Sequence, residues 1–255
     1  MSIQLSYSSD QRIATITIDR PAQRNSLTHE ALQMLQSTAV ELAAAPRCRV
    51  VILTGSGDQT FCAGAALDQL ASGELTSEQY ADAMDVIAAI GQPTIALLNG
   101  NAYGGGAELA LCCDFRLSSE SFHIRIPPAK LGLCYPPRGL ARYIGRLGNS
   151  ATRQLFLSAL PFDADSLLRL GFLTQIVVPD QLNERAIELA QQLAEFSPQA
   201  LRTMKQICNE FERPTEQQLH QAQMLADHCN QGDDLREGLS AAREKRAAQF
   251  ADDHE

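Results

Sequence analysis

Two short apolar runs, residues 49–54 (RVVILT) and 94–99 (TIALLN), constrain this chain more than anything else in it. Neither alternates apolar with polar, so each predicts a strand covered on both faces, as in a sheet flanked by helices. Gly55-Ser56-Gly57 bounds the first run. Residues 12–19 read as another strand, with Ile13, Ile16 and Ile18 supplying β-branched bulk and Arg20-Pro21 ending it; the residues around Tyr7 make the other arm of a hairpin. Over 28–45, Ala31, Leu32, Leu35, Ala39 and Leu42 recur at helical spacing, Thr28 can cap the start and Pro46 closes the segment. Thr76-Ser77-Glu78-Gln79 has the form of a capping box opening a helix towards Ile90, stopped by Gly91 and Pro93. Strand and helix thus alternate roughly every 40 residues, which predicts an α/β fold built from a repeated unit.

Past Gly100, Asn101–Glu108 leads into an apolar helix (Leu109, Ala110, Leu111, Cys112), then two strands, 115–118 and 122–126, ended by Pro127-Pro128. From about Asp180 only helical patterns remain: 181–196, then Ser197-Pro198 as a cap, then 199–211, 215–230 and 233–250. The organisation predicted is a core over 1–180 and a helical C-terminal region over 181–255.

With 255 residues, 45% of them hydrophobic, the chain can bury a core without disulfide staples. The net charge of -9 repels phosphate backbones and argues against a nucleic-acid partner. The seven cysteines are an odd set with no C-x-x-C and no Cys/His ligand spacing, so they read as reduced thiols of a cytoplasmic protein without a metal site. No leader-like segment and no apolar run of membrane length is present, so a membrane is not expected as a partner.

Chemistry concentrates at Tyr103-Gly104-Gly105-Gly106-Ala107-Glu108, between a buried strand and a helix. Three glycines let a ligand approach backbone N–H groups, and the helix adds a positive N-terminal dipole. Tight strand–helix packing alone would also call for glycines there. A second small-residue loop, Phe61-Cys62-Ala63-Gly64-Ala65-Ala66, is either a packed loop or the source of another N–H, the two together forming an oxyanion hole.

Five blocks carry a resemblance: residues 13–27 (IATITIDRPAQRNSL), 61–65 (FCAGA), 104–108 (GGGAE), 128–133 (PAKLGL) and the terminal stretch from Glu237-Gly238 through Glu244-Lys245-Arg246 to Phe250. In this order and over nearly the whole chain they resemble the crotonase (enoyl-CoA hydratase/isomerase) superfamily. The resemblance implies a ββα spiral with a helical C-terminal region, a homotrimer or a hexamer made of two trimers, and an acyl-CoA substrate with no further cofactor. It implies that the N–H groups of Ala65 and Gly105 hold the thioester oxygen. It also implies that Arg24, Asn25, Ser26, Leu27 and Lys245 contact CoA.

Glu108 matches one of the two glutamates of the family's hydratases, but Pro128 stands where the second belongs, in Pro127-Pro128-Ala129-Lys130-Leu131-Gly132. Hydration needs one group to activate water and another to protonate Cα, so it should be slow here. Asp68 replaces a lysine that relatives often carry against CoA phosphate. Pro128 together with Tyr135 is similar to methylmalonyl-CoA decarboxylase, although Ala65 stands where that enzyme has histidine. The expectation is an enzyme, a lyase or isomerase of fatty-acid or related acyl-CoA metabolism, with Glu108 as acid/base and Tyr135 either polarising the acyl pocket or simply walling it. The alternatives are a decarboxylase and a non-catalytic acyl-CoA-binding homologue. Arg125 and Arg138 could hold a substrate carboxylate but read better as surface arginines, and His123 could edge the pocket.

Overall fold

The computed structural model describes residues 2–131 and 133–210, together with single positions at 217, 224, 233, 237, 244, 246 and 249. The chain opens with the hairpin, β1 (Ile3–Tyr7) pairing antiparallel with β2 (Ile13–Ile18). α1 (His29–Ala43) follows, its first turn capped by Thr28 Oγ1, which accepts from the Ala31 N–H at 3.2 Å. Three passes then share one plan, a strand for a large sheet, a three-residue strand for a small sheet, and a helix. The first is β3 (Val50–Gly55), β4 (Thr60–Cys62), α2 (Leu67–Ser72) and α3 (Ser77–Ala88). The second is β5 (Thr94–Leu98), β6 (Asn101–Tyr103) and α4 (Gly105–Cys112). The third is β7 (Phe115–Ser118), β8 (His123–Arg125) and α5 (Pro137–Ser158), the last kinked at Gly148. After β9 (Pro161–Asp163), α6 (Ala164–Arg169) and β10 (Gln175–Ile176) come α7 (Leu182–Ala194) and α8 (Pro198–Glu210).

The large sheet runs β1-β2-β3-β5-β7-β10, parallel from β2 onwards, and the small one β4-β6-β8-β9. This is the expected α/β spiral. The even interval of strands does not hold, because the second strand of each pass is too short to show alternation and the interval from β5 to β7 contains only β6 and α4.

The apolar run in β3 is continuous because its two faces serve two cores. Val51 and Leu53 point into the cluster shared with α1, α3 and α4, whereas Val50 and Ile52 meet Leu182, Ala186, Ala190 and Leu193 of α7. At about 1.5–3 kcal/mol for each fully buried leucine, that stripe makes α7 a closing layer of the sheet. Leu182–Ala194, which the predicted boundary at 180/181 groups with the helical C-terminal region, packs on the sheet of the core. The helices expected over 215–230 and 233–250 lie outside the described residues, as does Lys245. Of the cysteines, Cys48, Cys62, Cys112, Cys113, Cys134 and Cys208 are free thiols and the first four are buried. No helix among the described residues is long and apolar enough to cross a membrane.

Candidate active site

The two small-residue loops meet. Parallel pairing of Leu27 with Ala65 uses the Leu27 N–H to Gly64 O bond and the Ala66 N–H to Leu27 O bond, both 2.8 Å. In a parallel bridge the residue between the two bonded positions turns its own N–H to the other edge, so Ala65 presents its N–H away from Leu27. Gly105, the first residue of α4, has an N–H without an intrahelical acceptor by its position. A Cβ on Gly64, whose φ is +83°, would come within 2.8 Å of the Gly105 nitrogen, and one on Gly106 within 2.0 Å of the Cys62 carbonyl oxygen. Glycine at these positions is thus what allows β4, its loop and the start of α4 to touch.

A cleft of about 220 Å³ opens there, lined by Ala65, Gly105, Glu108, Pro128 and Tyr135 among others. Every residue of α4 from Gly106 to Cys112 is buried, and Glu108 is only 2% exposed. Burial raises the proton affinity of its carboxyl. The Tyr135 hydrogen bond and the Arg142 charge oppose that rise, Asp85 adds to it, and burial prevails. The Tyr135 hydroxyl donates to Glu108 Oε2 at 2.5 Å, and Arg142 Nη1 donates to Oε1. Tyr135 is half-buried, its ring edge-on to Phe156 at 4.9 Å, and burial beside Glu108 holds its hydroxyl protonated.

The structure therefore brings Ala65, Gly105, Glu108, Tyr135 and Pro128 to one cleft. It separates the residues expected to touch CoA. Arg24 is exposed, its carbonyl accepting from the N–H of the pocket-wall residue Ala63 at 3.0 Å, and Ser26 is half-buried. Asn25 is fully buried: its amide donates to Ser56 O (2.9 Å) and Thr60 O (2.7 Å), and its oxygen accepts from the Arg20 N–H (3.0 Å). Positive φ at Arg24 (53°) and Asn25 (54°) turns that side chain inward. Leu27 is equally buried. Asn25 and Leu27 thus have their side chains inside the protein, where they hold the loop.

Arg125 donates to Ala159 O at 3.2 Å, and Arg138 pairs with Asp82 (2.6 Å) and Asp85 (2.7 Å), so neither faces the cleft. His123 stands one side chain back, 3.2 Å from the hydroxyl of the lining residue Tyr103. Asp68 is exposed on the first turn of α2. Sequence reading missed Arg142. The signal for it was present in Arg138, Arg142 and Arg146, spaced at i, i+4 directly after Pro136-Pro137.

Comparison with known proteins gives a family model described as enoyl-CoA hydratase/isomerase that matches residues 8–253. A 2,3-dehydroadipyl-CoA hydratase of Escherichia coli is 30% identical over 251 residues, covering 97% of this chain and 98% of its own. A carnitinyl-CoA dehydratase of Salmonella typhi is 32% identical over 211 residues, covering 81% and 80% respectively. Among solved structures, an enoyl-CoA hydratase from Bacillus anthracis superimposes with a TM-score of 0.89 at 29% identity, covering 99% of this chain and 100% of that one.

Proposed function

Because the chain belongs to the enoyl-CoA hydratase/isomerase family, we propose that it is an acyl-CoA enzyme whose chemistry is proton transfer through a single carboxylate. In this reading the N–H groups of Ala65 and Gly105 receive the thioester oxygen. Glu108 removes a proton from Cα, the C–H electron pair moves into the carbonyl, and the resulting enolate oxygen is held by the two N–H groups. Glu108 then returns the proton to Cα or delivers it to Cγ, the latter moving a double bond. The observation that carries this is the lining of one cleft by Glu108 together with Pro128, which has no proton to give or take. A buried carboxyl with raised proton affinity is a stronger base than one in water, which suits carbon acids.

The acyl group expected is uncharged. Among the described lining residues the only charged side chain is Glu108 itself, so a malonyl-type carboxylate would meet repulsion, which disfavours the decarboxylase alternative. Arg24 and Lys245 remain the proposed side-chain contacts to CoA, with Ser26 beside them. A trimer is proposed on the family resemblance, and light scattering tests it.

The direct test is deuterium uptake at Cα of butyryl-CoA in D₂O, read by mass spectrometry beside loss of crotonyl-CoA absorbance. Uptake should be catalysed, fall about 10²–10⁴-fold in Glu108→Gln, and outpace crotonyl-CoA hydration. Fast hydration by the unaltered protein would overturn the single-carboxylate reading. Tight binding without turnover of any thioester would favour the non-catalytic one.

A further inference from the structure

Glu108 lies at the inner end of a ladder of alternating charges that crosses three helices. Arg142 on α5, its side chain 8% exposed, forks between two acids: Nη1 to Glu108 Oε1 on α4 and Nη2 to Asp85 Oδ1 on α3. Asp85 also accepts from Arg138 Nη1 at 2.7 Å, and Arg138 Nη2 reaches Asp82 Oδ1 at 2.6 Å. Asp82 and Asp85 are about half exposed, so the ladder begins in solvent and ends at a buried carboxylate.

The same stretch of chain meets Glu108 from three positions. Tyr135 donates to Oε2, Arg142 donates to Oε1, and Gly139 leaves room for the carboxylate between them. A Cβ at Gly139 would stand 3.0 and 3.1 Å from the two oxygens. Gly139 and Arg142 share one face of α5 at i, i+3 spacing, and Tyr135 lies just before the helix.

We propose that Arg142 is a positioning residue for the proton transfer, fixing the Glu108 carboxylate and holding it ionised, with Asp85 as the counterweight that limits how strongly it does so. The proposal rests on the reading of Glu108 as the proton carrier. The two partners act on Glu108 with opposite sign. The Arg142 charge stabilises the ionised form and the Asp85 charge destabilises it, and because Arg142 is shared, protonation of Glu108 leaves the guanidinium still paired. The other titratable groups facing Glu108 are Tyr80 on α3, Cys112 on α4, and Tyr135 and Tyr143 before and within α5. Burial pushes all four upward, the Cys112 thiol to about 12, so they stay neutral through the range in which a carboxyl titrates.

The opposition of sign separates this role from that of a bridge that merely ties helices together. The experiment titrates ¹³C-carboxyl glutamate in the full chain by NMR, the Glu108 signal being identified by its loss in Glu108→Gln. Arg142→Gln should raise the Glu108 midpoint by about 1–3 pH units, and Asp85→Asn should lower it by up to about one. Arg142→Lys keeps the charge and should return most of the shift. The acid limb of deuterium exchange at Cα should move in step. Midpoints that stay put, or that move the same way in Arg142→Gln and Asp85→Asn, overturn the proposal. Should Arg142→Gln not fold, Asp85→Asn and Arg142→Lys decide alone: an unmoved or raised midpoint in Asp85→Asn refutes the counterweight. If the midpoints move as expected while no thioester exchanges, the control of Glu108 stands and its part in acyl-CoA chemistry falls.

Discussion

Gly106→Ala is the sharpest probe of how the two loops build the cleft. The added methyl carbon would lie 2.0 Å from the Cys62 carbonyl oxygen, 2.6 Å from its carbon and 3.0 Å from the Cys62 Cβ. Cys62 and Gly106 are both buried, and the atoms met first are backbone, so no side-chain rotation relieves the contact. β4 and α4 must part by at least about 1 Å, a displacement that can cost about 10²-fold in rate when it falls on a reacting geometry. Overpacking of this kind costs about 1–3 kcal/mol. At roughly 2–4 °C per kcal/mol for a chain of this size, Tm should fall by about 2–12 °C. The assay pairs Tm with deuterium exchange at Cα of butyryl-CoA. Gly171→Ala is the control: its φ of +76° strains an alanine, but nothing lies within 4 Å of the new methyl, so it should lose stability and keep exchange. If Gly106→Ala retains both Tm and exchange, the close approach of β4 and α4 is not what forms the site.

Pro128→Glu places a second carboxylate on the wall facing the cleft, and crotonyl-CoA hydration should rise about tenfold or more; an unchanged rate would mean that Pro128 is not what limits hydration. The proton affinity of Glu108 also makes stability depend on pH. Between the ordinary glutamate value and its raised folded value, the folded protein holds a proton that the unfolded chain releases, so stability should fall as pH rises through that window. Urea unfolding of Glu108→Gln should be flatter there; an identical slope would contradict the raised affinity. Asn25→Ala removes the amide donor from the half-buried Ser56 carbonyl and the buried Thr60 carbonyl, the second loss costing about 1–3 kcal/mol and the first less. Its CoA affinity, measured by calorimetry on the folded fraction, should stay within about threefold if the side chain only holds the loop, whereas a large loss would assign Asn25 to the CoA contacts.

What the sequence made legible follows from how local each signal is. Thr28 and the Thr76–Gln79 box announce α1 and α3 because a cap is settled within four residues, and both caps form. β4, β6 and β8 carry three residues each, too few for a period of two to appear; of that sheet only β8 was legible as a strand, within 122–126. Glu108 stood out because it follows a glycine triplet. Arg142 did not, since its meaning comes from two acids, one 34 and the other 57 residues away along the chain. Asn25 was noticed only as a motif position, and its structural part, a side chain turned into the protein at two left-handed residues, was not legible in the sequence.

α4 is buried all round and bears the carboxylate, whereas Leu67 at the start of α2 and Leu133 before α5 line the same cleft from exposed positions. The cleft therefore has one wall that cannot be altered without disturbing the core and another that can be rebuilt almost freely. Substitutions at Leu67 and Leu133 would reshape that second wall while leaving Glu108, Tyr135 and Arg142 untouched. Tolerance of change and resistance to it are thus assigned to different segments of one chain.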